Sequence, residues 1–443
     1  MAQHYQSRHA AVPEPERESV AQNSKKSRLP LMILAAVLCV CIIGAGVYAL
    51  LHFVVFAPPT ADTPSKAPTL PEEPTLEPTP TEPPTEPPTE PDYKGMAADL
   101  LDTMSTYEKI CQLFIVSPEM LTGIDGVTAA GETTEDALGY YPVGGVIYNT
   151  SNLETADQTK EMIKNTQSYT KIPLFIAVDE EGGLVARVAE SLGMQSFDPM
   201  FSYKELGAQT AENNAKTIAE YLKKLGFNLD FAPVADVWSD PGNTVIATRA
   251  YSDDFQQAAE LIASAVKGFA EGGVMSTLKH FPGHGGTTED SHADLAYVYD
   301  SIDALRKGAL LPFKSGIEAG ADMVMVGHLV VTELDDEMPA TLSDKVVPEL
   351  LRKELGYDGV VITDGMQMGA IAYYYDYDTI IKGIFDADID VILLPDDLDN
   401  YLYSIQVALD YGTITEEQLD QKVLRILTLK YKKGLIPLPE EKK

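Results

Sequence analysis

Gly359-Val360-Val361-Ile362-Thr363-Asp364-Gly365 is a short run of β-branched residues, bounded by glycines, that ends on a carboxylate. Its part from 359 to 363 reads as a strand buried on both faces, the kind found in parallel sheets, with Asp364 at its end. Seven more runs precede or follow it, at 112–116, 144–148, 174–178, 228–234, 274–278, 322–326 and 390–394. Amphipathic stretches of helical period separate them, so the chain past residue 93 reads as repeated βα units. Eight parallel strands in about 350 residues predict a (β/α)8 barrel of the TIM type. The rival, an open doubly wound sheet, lacks a Gly-x-Gly-x-x-Gly after the first strand to cradle a dinucleotide.

Barrel enzymes work at the C-terminal ends of their strands. Here those ends carry Asp179-Glu180-Glu181, Asp236, Lys279-His280, His328 and Asp364. The densest stretch runs from Lys279 to His292 and holds three histidines, a lysine, Glu289 and Asp290. A carboxylate at Asp364 would emerge at the barrel mouth, where it could attack an anomeric carbon, or it could cap a helix starting near Met366. Asp290 and His292 lie two apart in a Gly- and Thr-rich loop. A neighbouring carboxylate fixes an imidazole's tautomer and raises its pKa, which suits proton transfer, although such a pair also occurs as a solvated loop contact. Lys279 and His280 offer donors to sugar hydroxyls or serve as satisfied rim residues. Asp179, Arg187 and Arg249 are ordinary when taken singly. His280, His284, His292 and His328 with Asp290 could be tried as a metal set, but no His-x-His follows the first strand and no second tight pair appears, so no metal is expected.

Taken together, these motifs resemble family 3 glycoside hydrolases, and within them the single-domain β-N-acetylglucosaminidases (β-N-acetylhexosaminidases). The resemblance runs from about residue 97 to 437. It begins with Met104-Ser105-Thr106-Tyr107-Glu108-Lys109-Ile110 and includes Val178-Asp179-Glu180-Glu181-Gly182-Gly183, Phe231-Ala232-Pro233-Val234-Ala235-Asp236 and Lys279 to His292. Pro339-Ala340-Thr341-Leu342-Ser343 and Gly359 to Met368 complete it. It implies a retaining mechanism with Asp364 as nucleophile, His292 as acid/base and Asp290 as its partner. Asp179, Arg187, Arg249, Lys279 and His280 would bind the non-reducing-end sugar, a GlcNAc-containing glycan such as a peptidoglycan fragment, with no cofactor. Glu180 stands where the family usually has Gln, Leu184 where Arg is frequent, and Gly286 where Asp is frequent. Thr244 and Ala247 replace a Pro and a Gly near Arg249. The alternatives are a phosphorylase on the same fold, with histidine leaving room for phosphate, and a non-catalytic wall-glycan-binding module.

The first 92 residues differ in kind. After a tail at 1–28, residues 29–57 hold no Asp, Glu, Lys or Arg. That exceeds the roughly 20 residues needed to cross a bilayer and predicts an uncleaved transmembrane anchor. Lys25, Lys26 and Arg28 precede it, so basic residues favour a cytoplasmic tail and a catalytic domain, 93–443, held outside the cell membrane by a single pass. Residues 58–92 are rich in Pro, Thr and Glu, a linker favouring polyproline II at about 3.1 Å per residue. The net charge of -34 argues against nucleic acid as a partner. Cys39 and Cys41 fall in the anchor, leaving Cys111 without a disulfide mate. The oligomeric state is not encoded in any motif.

Overall fold

All eight predicted runs become strands of one closed, all-parallel barrel in a computed structural model that describes residues 91–288 and 294–438. In chain order they are β1 (Phe114–Val116), β2 (Gly145–Ile147), β3 (Phe175–Val178), β4 (Leu229–Asp230), β5 (Met275–Phe281), β6 (Met323–Val326), β7 (Val360–Gly365) and β8 (Val391–Leu393). Each strand pairs with its neighbours in sequence, and β8 closes on β1 through Phe114 opposite Ile392. The predicted tail at 1–28, the anchor at 29–57 and the linker up to residue 90 lie outside the described residues. Among the described residues, no helix is long and apolar enough to cross a membrane.

The barrel closes because both faces of its strands are apolar. Ile176, Ala177, Val178, Val324, Val361 and Ile362 are fully buried, and burying each larger side chain is worth roughly 1.5–3 kcal/mol. The helices outside are set by local signals. Ser105 and Glu108 form a capping box on Thr106–Gln112, Asp254 caps Phe255–Gly272, and Gly226 and Gly273 end two long helices in left-handed conformation.

Two strands depart from their predicted limits by three residues or more, and both departures shape the mouth. The run at 228–234 pairs only over Leu229–Asp230, because Pro233 lacks the amide that a ladder needs, and Val234 makes an isolated bridge to Lys279. β5 continues three residues beyond its predicted end. Its register with β6 shifts between Leu278 and Phe281, which places Lys279 and His280 inside the strand rather than after it.

Candidate active site

The segment leaving β3 shows how the sequence sorts its three acids. Asp179 directly follows the strand, and Glu180–Gly182 folds back on Val185–Ala186 as a tight hairpin. Gly182 and Gly183 turn it with φ of 84° and 58°, a region where a side chain is strained. Alternation then sends Glu180 and Glu181 opposite ways. Glu180 points into the wall, fully buried, where it accepts from Val188 N (2.6 Å), Ala189 N (3.1 Å) and the Tyr221 hydroxyl (2.6 Å). Burial pushes its carboxyl up to about 7, against the pull of those donors. Arg187 opens the helix Arg187–Leu192 that Glu180 holds, and its Nε is buried without a hydrogen-bond partner among the described residues.

Glu181 faces the other way and joins the predicted sugar-binding residues. Lys279 Nζ lies 2.7 Å from Asp179 Oδ1 and 2.7 Å from Glu181 Oε1. Arg249, at the end of the 3-10 turn Ala247–Arg249, grips Glu181 with two parallel bonds of 2.9 and 2.7 Å. Burial alone would raise Glu181, but Lys279 and Arg249 outweigh it and hold the carboxylate well below its usual range. The same acids, Asp179 first, outweigh burial at Lys279 and raise its ammonium. Asp179 keeps 31 % of its side chain exposed while Glu181 keeps 1 %, so of the two acids Asp179 is the one open to the mouth.

A second cluster is organised by Asp236, fully buried beyond β4. One oxygen accepts from His280 N (3.1 Å) and sits 2.6 Å from His280 Nδ1, and the other accepts from His284 N (2.6 Å). Burial would raise Asp236, but His280 and His284 with these amides hold it low, so an ionised Asp236 fixes Nδ1 of His280 as the protonated nitrogen. His284 has its Nδ1 2.7 Å from Thr287 Oγ1, and burial depresses its pKa. Gly285 is required beside it, since a Cβ there would stand 1.9 Å from the Val237 carbonyl oxygen.

Asp364 lies inside β7, one residue before its end, and is partly exposed. Burial raises a carboxyl, but His280, His328, the Gly365 amide at 2.8 Å and Lys279 together lower it, so it is ionised near neutral pH. It caps no helix: Gly369–Ala372 starts from Met368 without a side-chain cap. His328, fully buried, donates from Nε2 to the Gly365 carbonyl (3.0 Å) and has Nδ1 2.8 Å from Thr341 Oγ1, which ties the end of β6 to the end of β7.

Of the predicted site residues, Asp179, Arg249 and Lys279 meet in one ion-paired cluster, and Lys279 and His280 lie next to each other in β5 and both act on Asp364. Arg187 borders this group, its amide 3.5 Å from the Asp179 carbonyl. Asp290 and His292 lie outside the described residues. Glu181, Asp236 and His328 were placed at strand ends by the sequence but were not among the predicted catalytic or sugar-binding residues. The alternation of Asp179 and Glu181 on one side of an extended segment was the available signal for Glu181. Among the described residues, no group of three or more His, Cys, Asp or Glu is arranged to hold a metal ion.

Comparison with known proteins falls on the same region. The family described as "Glycosyl hydrolase family 3 N terminal domain" matches residues 105–429. A Beta-hexosaminidase A of Pseudoalteromonas piscicida is 33 % identical over 326 residues, 67 % of this chain and 54 % of that protein, so this chain spans about half of its length. A Beta-hexosaminidase of Stenotrophomonas maltophilia is 34 % identical over 296 residues, which cover 65 % of this chain and 87 % of that protein. Among solved structures, a glycoside hydrolase family 3 beta-N-acetylglucosaminidase from Paenibacillus sp. str. FPU-7 superposes with a TM-score of 0.70 at 33 % identity, over 76 % of this chain and 65 % of that one.

Proposed function

The chain belongs to glycosyl hydrolase family 3, and on that premise we propose that it is a retaining exo-β-N-acetylhexosaminidase that removes terminal GlcNAc from peptidoglycan-derived or related glycans. The observation that carries this reading is Asp364, partly exposed at the end of β7 and held ionised beside His280, His328 and Lys279. A carboxylate so placed is a nucleophile for the retaining route. Asp364 forms a bond to the anomeric carbon as His292 protonates the departing glycosidic oxygen. His292 then takes a proton from water, whose oxygen displaces Asp364 and releases the sugar. Asp290 orients and charges His292. Lys279, Asp179, Arg249, Arg187 and His280 hold the terminal sugar. The reaction needs no cofactor. Residues 29–57 would anchor the enzyme in the cell membrane, with the barrel displayed outside on the Pro/Thr/Glu linker.

The test is GlcNAc release from 4-nitrophenyl β-GlcNAc by the purified full-length protein, with and without phosphate, beside the β-glucoside. Release without phosphate, lost in Asp364→Asn and reduced in His292→Ala, is the expected outcome. A strict phosphate requirement would replace hydrolysis by phosphorolysis, and no release of either sugar would sink both.

A further inference from the structure

Glycan binding need not stop at the terminal sugar, and the rim of the barrel mouth carries an aromatic surface that the site described above leaves unused. Tyr299, Tyr373 and Tyr374 are exposed by 75, 81 and 53 %. They come from two places. Tyr373 and Tyr374 follow Gly369–Ala372, the first turn after Asp364. Tyr297 and Tyr299 lie on and just beyond Ala296–Val298, a strand that follows β5 and runs parallel to Leu329–Val331 after β6. All four therefore stand on the C-terminal side of consecutive strands β5, β6 and β7, the side that holds Asp364 and Lys279.

Their geometry is organised. The Tyr297 and Tyr299 rings are 6.0 Å apart and only 15° from parallel, which makes two neighbouring faces with one orientation. The Tyr374 hydroxyl donates to Asp294 Oδ1 at 2.5 Å, joining the segment after β7 to the segment before Tyr297. Tyr375, half-buried against the core, anchors the base of the group. Exposed apolar surface in a contiguous group marks a recognition site more often than scattered residues do.

We infer that Tyr297, Tyr299, Tyr373 and Tyr374 form a platform for the sugars on the reducing side of the scissile bond, so that the ligand is a β-linked oligosaccharide. The inference rests on the hexosaminidase reading and names the substrate class within it. Pyranose rings present axial C–H faces that pack on aromatic rings, while phenol oxygens can still accept from sugar hydroxyls. A neutral glycan also suits a surface that carries the exposed Asp294 and Asp300 in a chain of net charge -34, where an anionic ligand would be repelled. Tyr373 and Tyr374 follow β7 through the short helix Gly369–Ala372, so the platform adjoins the strand end that carries Asp364.

The experiment is titration of the full-length Asp364→Asn protein with the β-1,4-linked GlcNAc tetramer and with GlcNAc, which reads binding without turnover. Tyr299→Ala and Tyr373→Ala, each introduced separately, are expected to weaken the tetramer about tenfold more than the monosaccharide. Tyr411→Ala, an 84 % exposed tyrosine at the opposite end of the barrel, serves as the control and is expected to leave the ratio unchanged. Equal tetramer affinity in all three variants would overturn the platform, as would a parent protein that binds the tetramer no better than GlcNAc. Failure of the unsubstituted enzyme to release GlcNAc from the aryl glycoside would instead overturn the hexosaminidase reading. Because both substituted tyrosines are exposed, loss of folding is not expected to obscure the comparison.

Discussion

The two ends of the barrel both bury charged side chains, and they differ in what those side chains have left to give. At the N-terminal end Lys430 is fully buried, with Nζ 2.9 Å from both Gln112 Oε1 and the Gly144 carbonyl and 4.8 Å from the centre of the Phe175 ring. Nearby, Asp390 accepts from Val361 N, Arg352 and Arg425. These contacts end on the scaffold itself. At the mouth Lys279 is just as enclosed, yet its partner Asp179 stays part-exposed, Asp364 is accessible, and Arg187 Nε has no partner among the described residues. Perturbed ionisation is therefore present at both ends, and at the mouth it coincides with part-exposed carboxylates, Asp179 and Asp364.

Substitutions at the two ends should separate along that line. Asp364→Asn is expected to lower kcat by about 10⁴-fold, since the proposed covalent step needs its carboxylate. Lys430→Met is expected to leave kcat/KM within about twofold and to act on stability instead. Burial pulls the Lys430 ammonium down to about 7. Between that value and its ordinary 10.5 the folded protein binds fewer protons than the unfolded chain, so this group's contribution to stability rises with pH across the window. The penalty is complete below about pH 7 and amounts to roughly 5 kcal/mol. Denaturant melts should thus show Lys430→Met gaining most on the parent at pH 6 and losing that gain towards pH 10. A comparable drop in turnover in both variants would erase the contrast between the ends. Glu181→Ala tests whether the mouth ion pairs are functional or merely structural. It leaves Arg249 and Lys279 undercompensated, which should destabilise by roughly 3–5 kcal/mol and raise KM at temperatures where the variant is folded. An unchanged KM would place Glu181 with the scaffold charges of the opposite end.

How much of this could be read from the chain varies by residue. The strands were legible because each is a short apolar run next to glycine or a polar turn, as in β7, and such runs have few other stable uses. Asp364, Lys279 and His280 were legible because they sit at the ends of those runs. The role of Glu181 was not, since it depends on Lys279 and Arg249 meeting it across 98 and 68 residues of chain, a consequence of barrel closure rather than of local pattern. Asp236 is similar: its two oxygens matter only because β5 extends to Phe281 and brings the His280 and His284 amides onto them. The rim tyrosines carry no motif, and only the folded loops after β5 and β7 show that they share a surface.

Glu180 offers the finest test, because it sits at the mouth yet resembles the opposite end in being enclosed. It occupies a position where the family resemblance leads one to expect Gln, and burial raises its carboxyl from an ordinary 4.5 to about 7. Across that window the folded protein holds more protons than the unfolded chain, so this group's contribution to stability falls as pH rises, the reverse of Lys430. The loss is complete above about pH 7 and is worth roughly 3 kcal/mol. Glu180→Gln removes the titration but keeps one acceptor for Tyr221 and Ala189, while its amide faces the Val188 N–H and costs a constant offset. Stability measured on both proteins from pH 4.5 to 7.5 should therefore shift steadily in favour of the variant, whatever its starting offset. A pH-independent difference would mean that Glu180 ionises normally behind the hairpin. The three donors would then offset its burial in full, and the mouth would hold its enclosed charge as easily as its exposed ones.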